Sequence, residues 1–214
     1  MTFFIYVLIG RERLNTPVWT AIVGALVYLS STLVIILLPQ KLFHRGKTSR
    51  EELGLKGLPT WADLALAPLG LIVYFIIALV LLQVFSLFPF FDASEVQETG
   101  FSVLGSGLDR VIAFFALVVA PAVAEELIFR GWLYGKLRAK IPGRTASLIV
   151  SVLITSLTFA LIHRQWNVGV NVFAMSLVLC ALREITGTIY SGILLHMLKN
   201  SIAFFLLFIA NLGA

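Results

Sequence analysis

The chain has 214 residues, 59% of them hydrophobic and only 13% charged, and its mean hydropathy is +0.99. A soluble domain averages about 25% charged residues, so these proportions exclude one and predict a single all-α polytopic membrane domain spanning 1–214. A net charge of +5 would suggest nucleic acid in a soluble protein. Here the basic residues gather in short loops and bear on topology instead, so the expected surroundings are lipid bilayer, with no nucleic-acid partner.

The first ten residues, Met1 to Gly10, are apolar but short. Nine helical residues reach only about 13 Å. No basic stretch precedes them, so a membrane-surface segment is expected in place of a signal peptide. Val18 to Leu38 is the first full span, closed by Pro39. A basic loop follows, with Lys41, His44, Arg45, Lys47, Arg50 and Lys56. Leu64 to Phe88 is the second span, with Trp61 at its start, where an amphipathic ring suits the interface. The next loop carries Asp92, Glu95 and Glu98 and no Lys or Arg. Leu108 opens a third helix that runs to about Arg138. Pro121 interrupts it; a proline there removes a backbone hydrogen bond and can kink the helix or open it to water. The fourth span is Ala146 to His163, the fifth is the short Val168 to Leu182, and the sixth is Ile189 to Leu212. Cys180 lies in an apolar run, and as the one cysteine it forms no intrachain disulfide. About six spans form the predicted bundle, enclosing a polar cavity.

The loops allow a test of orientation. With the 40–59 loop in the cytoplasm, alternate loops carry ten Lys and Arg, against Arg11, Arg13, Arg110 and Arg164 on the other side. Ten against four predicts both termini outside. Short loops and the lack of any eukaryotic targeting signal fit a bacterial cytoplasmic membrane.

Three polar pairs interrupt the apolar runs. The first is Glu125-Glu126 with Arg130, inside the run Leu108 to Leu133. A charge in a span costs at least about 2.5–3.5 kcal/mol on insertion scales, so these groups must face a bundle interior or a water-filled cavity. Glu126 and Arg130 are i and i+4, acid first, the favourable order for a pair. Glu125 points about 100° away. It is left without a partner on its own helix, free to act as a general base. The second pair is Phe159 and His163, the third His196 and Asn200, each again four apart.

Glu125-Glu126-x-x-x-Arg130, Phe159-x-x-x-His163 and His196-x-x-x-Asn200 resemble, in order, three motifs of the CPBP family, the CAAX-protease and bacteriocin-processing intramembrane proteases. Pro121 and Phe129-Arg130-Gly131 fit the surroundings of the first motif. Glu52-Leu53-Gly54-Leu55-Lys56 is a weaker echo near the N-terminus. The resemblance covers about 108–205. It implies a helical bundle around a cavity and hydrolysis of a peptide bond in or beside the membrane. It implies that Glu125 and His163 activate water, that His196 and Asn200 stabilise the oxyanion, and that Arg130 holds the glutamate motif. The implied substrate is a membrane-associated peptide, prenylated or leader-bearing.

Blander roles stand beside these. Glu126 and Arg130 can be a purely structural ion pair. His163 beside Arg164, Gln165 and Trp166 can be an interfacial histidine. His196 and Asn200 can be interhelical hydrogen-bonding glue. Phe159 reads as packing, and His44 as solvated. Lys199 adjoins Asn200 but on another helix face, where it can pair or snorkel. A zinc ion held by Glu125, His163 and His196 would leave a fourth position for water. There is no HExxH, and a metal-free mechanism needs only a base, a histidine and oxyanion donors. Two other classes remain open: a non-enzymatic membrane protein of the same fold, acting in bacteriocin immunity or as a scaffold, and an ion-coupled carrier. A straight-helix depth count adds a difficulty, placing His163 about 10–15 Å nearer the outer face than Glu125 at about 1.5 Å per residue.

Overall fold

The computed structural model describes residues 17–42, 48–93, 95 and 107–209. The expected surface segment at 1–10, His44 and the last five residues lie outside this set. Helix α1 is Pro17–Leu42 and α2 is Trp61–Phe85. The long α3 runs Leu108–Lys140. Then come α4 (Arg144–Leu161), α5 (Trp166–Thr186) and α6 (Tyr190–Phe204), the last extended by a π turn, Phe205–Ile209. Among the described residues, α2 to α6 are the five helices long and apolar enough to cross a membrane. Helix α1 covers the first span read from the sequence, and its stretch Ile22–Ile36 is apolar. The protein is a multi-pass, all-α membrane bundle.

Helix α2 shows how composition fixes orientation. It starts three residues before the expected boundary because Thr60 and Asp63 form a capping box: the Asp63 N–H donates to Thr60 Oγ1 at 3.3 Å and the Thr60 N–H to Asp63 Oδ2 at 2.8 Å. Ala67, Gly70, Tyr74 and Ala78 make one buried stripe, and mostly small residues let α5 and α6 pack close against it. The Tyr74 hydroxyl donates to Asn171 of α5. Leu69, Ile72, Ile76, Leu79 and Val80 stay exposed, as suits a face toward lipid tails. The main core joins that stripe to Phe129, Phe159, Met175, Leu179 and Leu195.

Helix α3 carries two π turns, Phe115–Val119 and Leu127–Leu133, one on each side of the glutamates. The first accommodates Pro121, whose ring would crowd the carbonyl of residue 117 in a regular helix. Such widened turns reset the angular register of the residues beyond them and are frequent at functional sites.

The basic stretches that the sequence assigns to one side converge at one end of the bundle. A pocket of about 500 Å³ there is lined by Glu52, Lys136, Arg138, Arg183 and Glu184, among others. Arg138 Nε donates to Glu184 Oε1 at 2.7 Å, and Tyr134 donates to the same oxygen at 2.6 Å. The turn at Ser49–Leu55 straps this end, with the Leu53 side chain buried and Arg183 Nη2 donating to the Glu52 carbonyl at 3.1 Å. The strap explains Gly131: a Cβ there would lie 2.9 Å from the Leu53 carbonyl oxygen. Gly131→Ala is therefore expected to lower stability by about 1–3 kcal/mol, the usual cost of overpacking. A thermal melt in detergent checks it, and an unchanged midpoint would contradict the strap's role.

Candidate active site

The site is assembled by α3, the end of α4 and α6, with α1 and α5 as walls. Glu125 is 7% exposed, Glu126 and Arg130 0%, and His196 3%. Four polar or charged side chains this deep in an apolar bundle must satisfy one another. Arg130 Nη1 donates to Glu126 Oε1 at 2.9 Å, the intrahelical pair expected from the spacing. Across the helix gap, His196 Nδ1 donates to the same Oε1 at 3.2 Å. His196 Nε2 lies 3.7 Å from Glu125 Oε2, within ion-pair reach. His196 is thus held between the two carboxylates, with a glutamate oxygen facing each ring nitrogen. Gly192, one turn before it, lets Glu126 fit: a Cβ there would be 3.1 Å from Glu126 Oε2.

Phe159 is fully buried and acts as the hub of the packing. The Arg130 guanidinium carbon sits 4.5 Å over its ring centroid, a cation–π contact. The rings of His163 and His196 meet the Phe159 ring edge-on, at 5.0 and 6.1 Å.

The depth difficulty at His163 resolves through the turn after α4. The helix ends at Leu161, and the imidazole curls back by one turn to Phe159, its Nδ1 lying 2.7 Å from that residue's carbonyl oxygen. A carbonyl only accepts, so Nδ1 carries the proton and Nε2 is the basic nitrogen. Burial holds this imidazole below its ordinary range, so it is neutral at neutral pH; the Phe159 carbonyl and Glu125 oppose that trend in part.

A partly open pocket of about 260 Å³ brings the sequence-predicted residues together. Glu125, His163, His196 and Asn200 all line it. Glu126 and Arg130 lie behind it and do not line it. Two further residues join them that the sequence pattern does not place here. Tyr28 of α1 lines the pocket beside Glu125. Lys199 lines the same pocket. Adjacent residues on a helix diverge by about 100°, which is why Lys199 reads as facing elsewhere. Its four-carbon stem is long enough to bring the ammonium round.

Among the described residues no three His, Cys, Asp or Glu side chains are grouped so as to hold a metal ion. What the arrangement offers is a carboxylate and a neutral imidazole able to accept a proton, beside an amide able to donate a hydrogen bond.

Residues 107–202 match the family model of the type II CAAX prenyl endopeptidase Rce1-like proteins. The chain is also similar to the membrane-embedded CAAX protease MroQ of Staphylococcus aureus (strain USA300). The two are 26% identical over 175 residues, which cover 81% of this chain and 68% of that protein. No solved structure matches.

Proposed function

We propose that this chain, a membrane protein of the CAAX-protease family by its 107–202 segment, is an intramembrane endopeptidase in which Glu125 activates water. The observation that carries the reading is the meeting of Glu125, His163, His196 and Asn200 in one pocket inside an apolar bundle. Each comes from a different motif or motif position, and no lipid-facing role would bring them there.

The steps follow from the donors and acceptors present. A water between Glu125 and His163 gives its proton to the Glu125 carboxylate, with His163 Nε2 orienting it. Its oxygen attacks the scissile carbonyl carbon, and the carbonyl oxygen becomes an oxyanion. The Asn200 amide N–H is placed in the same pocket to receive that charge. The C–N bond then breaks, and the departing amine takes the proton held by Glu125. Glu126, Arg130 and His196 are assigned to positioning Glu125: Arg130 and Glu126 hold the His196 ring, whose Nε2 lies 3.7 Å from Glu125.

The pocket also has apolar lining from Leu117, Phe204, Leu207 and Phe208. That supports an extended, apolar, membrane-associated peptide as substrate, prenylated or leader-bearing. The test is cleavage of quenched apolar peptides by purified protein in H₂¹⁸O. The expected product is a new C-terminus carrying ¹⁸O. Intact peptides across a panel that includes prenylated and leader sequences would favour the non-enzymatic immunity or scaffold reading.

A further inference from the structure

We infer that the groove between α2, α4 and α5 binds one anionic phospholipid, with an acyl chain between the helices and the phosphate on Arg164. The inference stands on this groove and does not depend on the peptidase reading.

The groove holds about 430 Å³, within the range of about 300–1,000 Å³ usual for small-molecule sites. Its lining changes along its length. Leu81 of α2, Leu157 of α4 and Phe173 of α5 make the deeper wall, and Arg164, Gln165 and Trp166 make the mouth. From Trp166 to Phe173 the helix rises about 10 Å, at about 1.5 Å per residue. One end thus offers a cation and the other only hydrocarbon, in the order in which a phospholipid carries its phosphate and its chains. Leu157, Leu161 and Trp166 are exposed, so the groove opens to the lipid around the bundle. The Trp166 ring lies 6.1 Å from that of Phe90, and such an aromatic rim suits the membrane interface.

Arg164 is placed to take the phosphate. It is exposed, and among the described residues it forms no ion pair. A guanidinium at the interface attracts an anionic headgroup and matches phosphate oxygens with two parallel N–H donors. The competing occupant is the apolar part of a substrate. The groove and the pocket that holds Glu125 share no lining residue. On α5, Val168, Val172 and Met175 line that pocket, while Gly169, Val170 and Phe173 line the groove. A substrate chain would have to cross α5 to occupy both, so a separate lipid is the better fit.

The test gives delipidated protein in detergent phosphatidylglycerol, diacylglycerol or inorganic phosphate, and reads native mass spectra and thermal melts. One phosphatidylglycerol per chain should be retained and should raise the melting midpoint by about 3–8 °C. Diacylglycerol has the chains without the phosphate and inorganic phosphate the reverse, so each should bind at least about tenfold more weakly. The φ of 57° at Arg164 is left-handed, which asparagine tolerates. Arg164→Asn therefore keeps the turn and removes the charge, and should weaken retention by about tenfold, while Arg164→Lys should keep most of it. Gly169→Leu fills the groove and should abolish retention. A Cβ there meets the Ala160 carbonyl oxygen at 3.5 Å, an ordinary contact. Leu157→Trp fills the groove from α4 and replaces Gly169→Leu if that variant melts early without lipid. Diacylglycerol held as tightly as phosphatidylglycerol, or wild-type retention by Arg164→Asn, would overturn the inference. So would unchanged retention in the filling variants, which would put the lipid elsewhere. A prenylated peptide that displaces phosphatidylglycerol and is weakened by the same variants would give the groove to the substrate and overturn it too.

Discussion

Glu125→Gln should abolish most cleavage, lowering kcat by about 10²–10⁴-fold, the range that a positioned general base contributes. Glutamine keeps the shape of the side chain and its place beside His196, so the bundle should melt close to wild type. What disappears is the oxygen able to hold the water proton. His163 does not replace it. Its Nδ1–H is tied to Phe159, and a single neutral imidazole, buried and below its ordinary pKa, is a weak proton store. Steady-state rates on one peptide, with melts run beside them, check this. A glutamine variant with native rate would remove Glu125 from the chemistry.

Arg130→Met should have the largest effect on stability, about 3–5 kcal/mol, because it leaves Glu126 buried without its guanidinium. The methionine fills part of the space over Phe159 but cannot neutralise the carboxylate. Pairing it with Glu126→Gln removes the stranded charge, so the double variant should recover a large part of the loss. That coupling separates an ion pair from mere packing. Thermal melts of the four proteins give it directly. If the two single losses simply add, Glu126 and Arg130 do not act as an ion pair. Arg130→Lys is no substitute, since an ammonium does not stack on the Phe159 ring as a planar guanidinium does.

Much of this was legible in the sequence because charge in an apolar run is hard to misread. Glu125, Glu126 and Arg130 had to face inward, and the i,i+4 spacing gave the pair seen at 2.9 Å. The helix centres were also legible, and the errors fall at ends. Helix α2 begins earlier than its apolar run because Thr60 and Asp63 cap it. Helix α5 reads as short because Asn167, Arg183 and Glu184 look like boundaries. They are helical and paired: Asn167 with the Glu95 carbonyl, Arg183 with the Glu52 carbonyl and Glu184 with Arg138. The helix stops only at Gly187, with its positive φ of 69°.

What could not be read depends on neighbours far apart in sequence. Tyr28 joins Glu125 in one pocket from almost a hundred residues away, and nothing local marks it. The π turns around the glutamates leave no pattern of residue types. Lys199 is placed by the sweep of a long side chain, which a helical wheel does not show. The strap at Ser49–Leu55 shows only as a faint Glu-Leu-Gly-Leu echo, since its partners are backbone carbonyls against Gly131 and Gly135.

The most direct test of the central claim uses chelator-stripped protein, wild type and Glu125→Gln side by side, on a peptide that the untreated enzyme cuts. A glutamate-activated water predicts that stripped wild type keeps its rate while the variant loses it. Loss of wild-type cleavage on stripping, restored by a divalent ion, would contradict the account and make Glu125, His163 and His196 ligands after a rearrangement of the pocket.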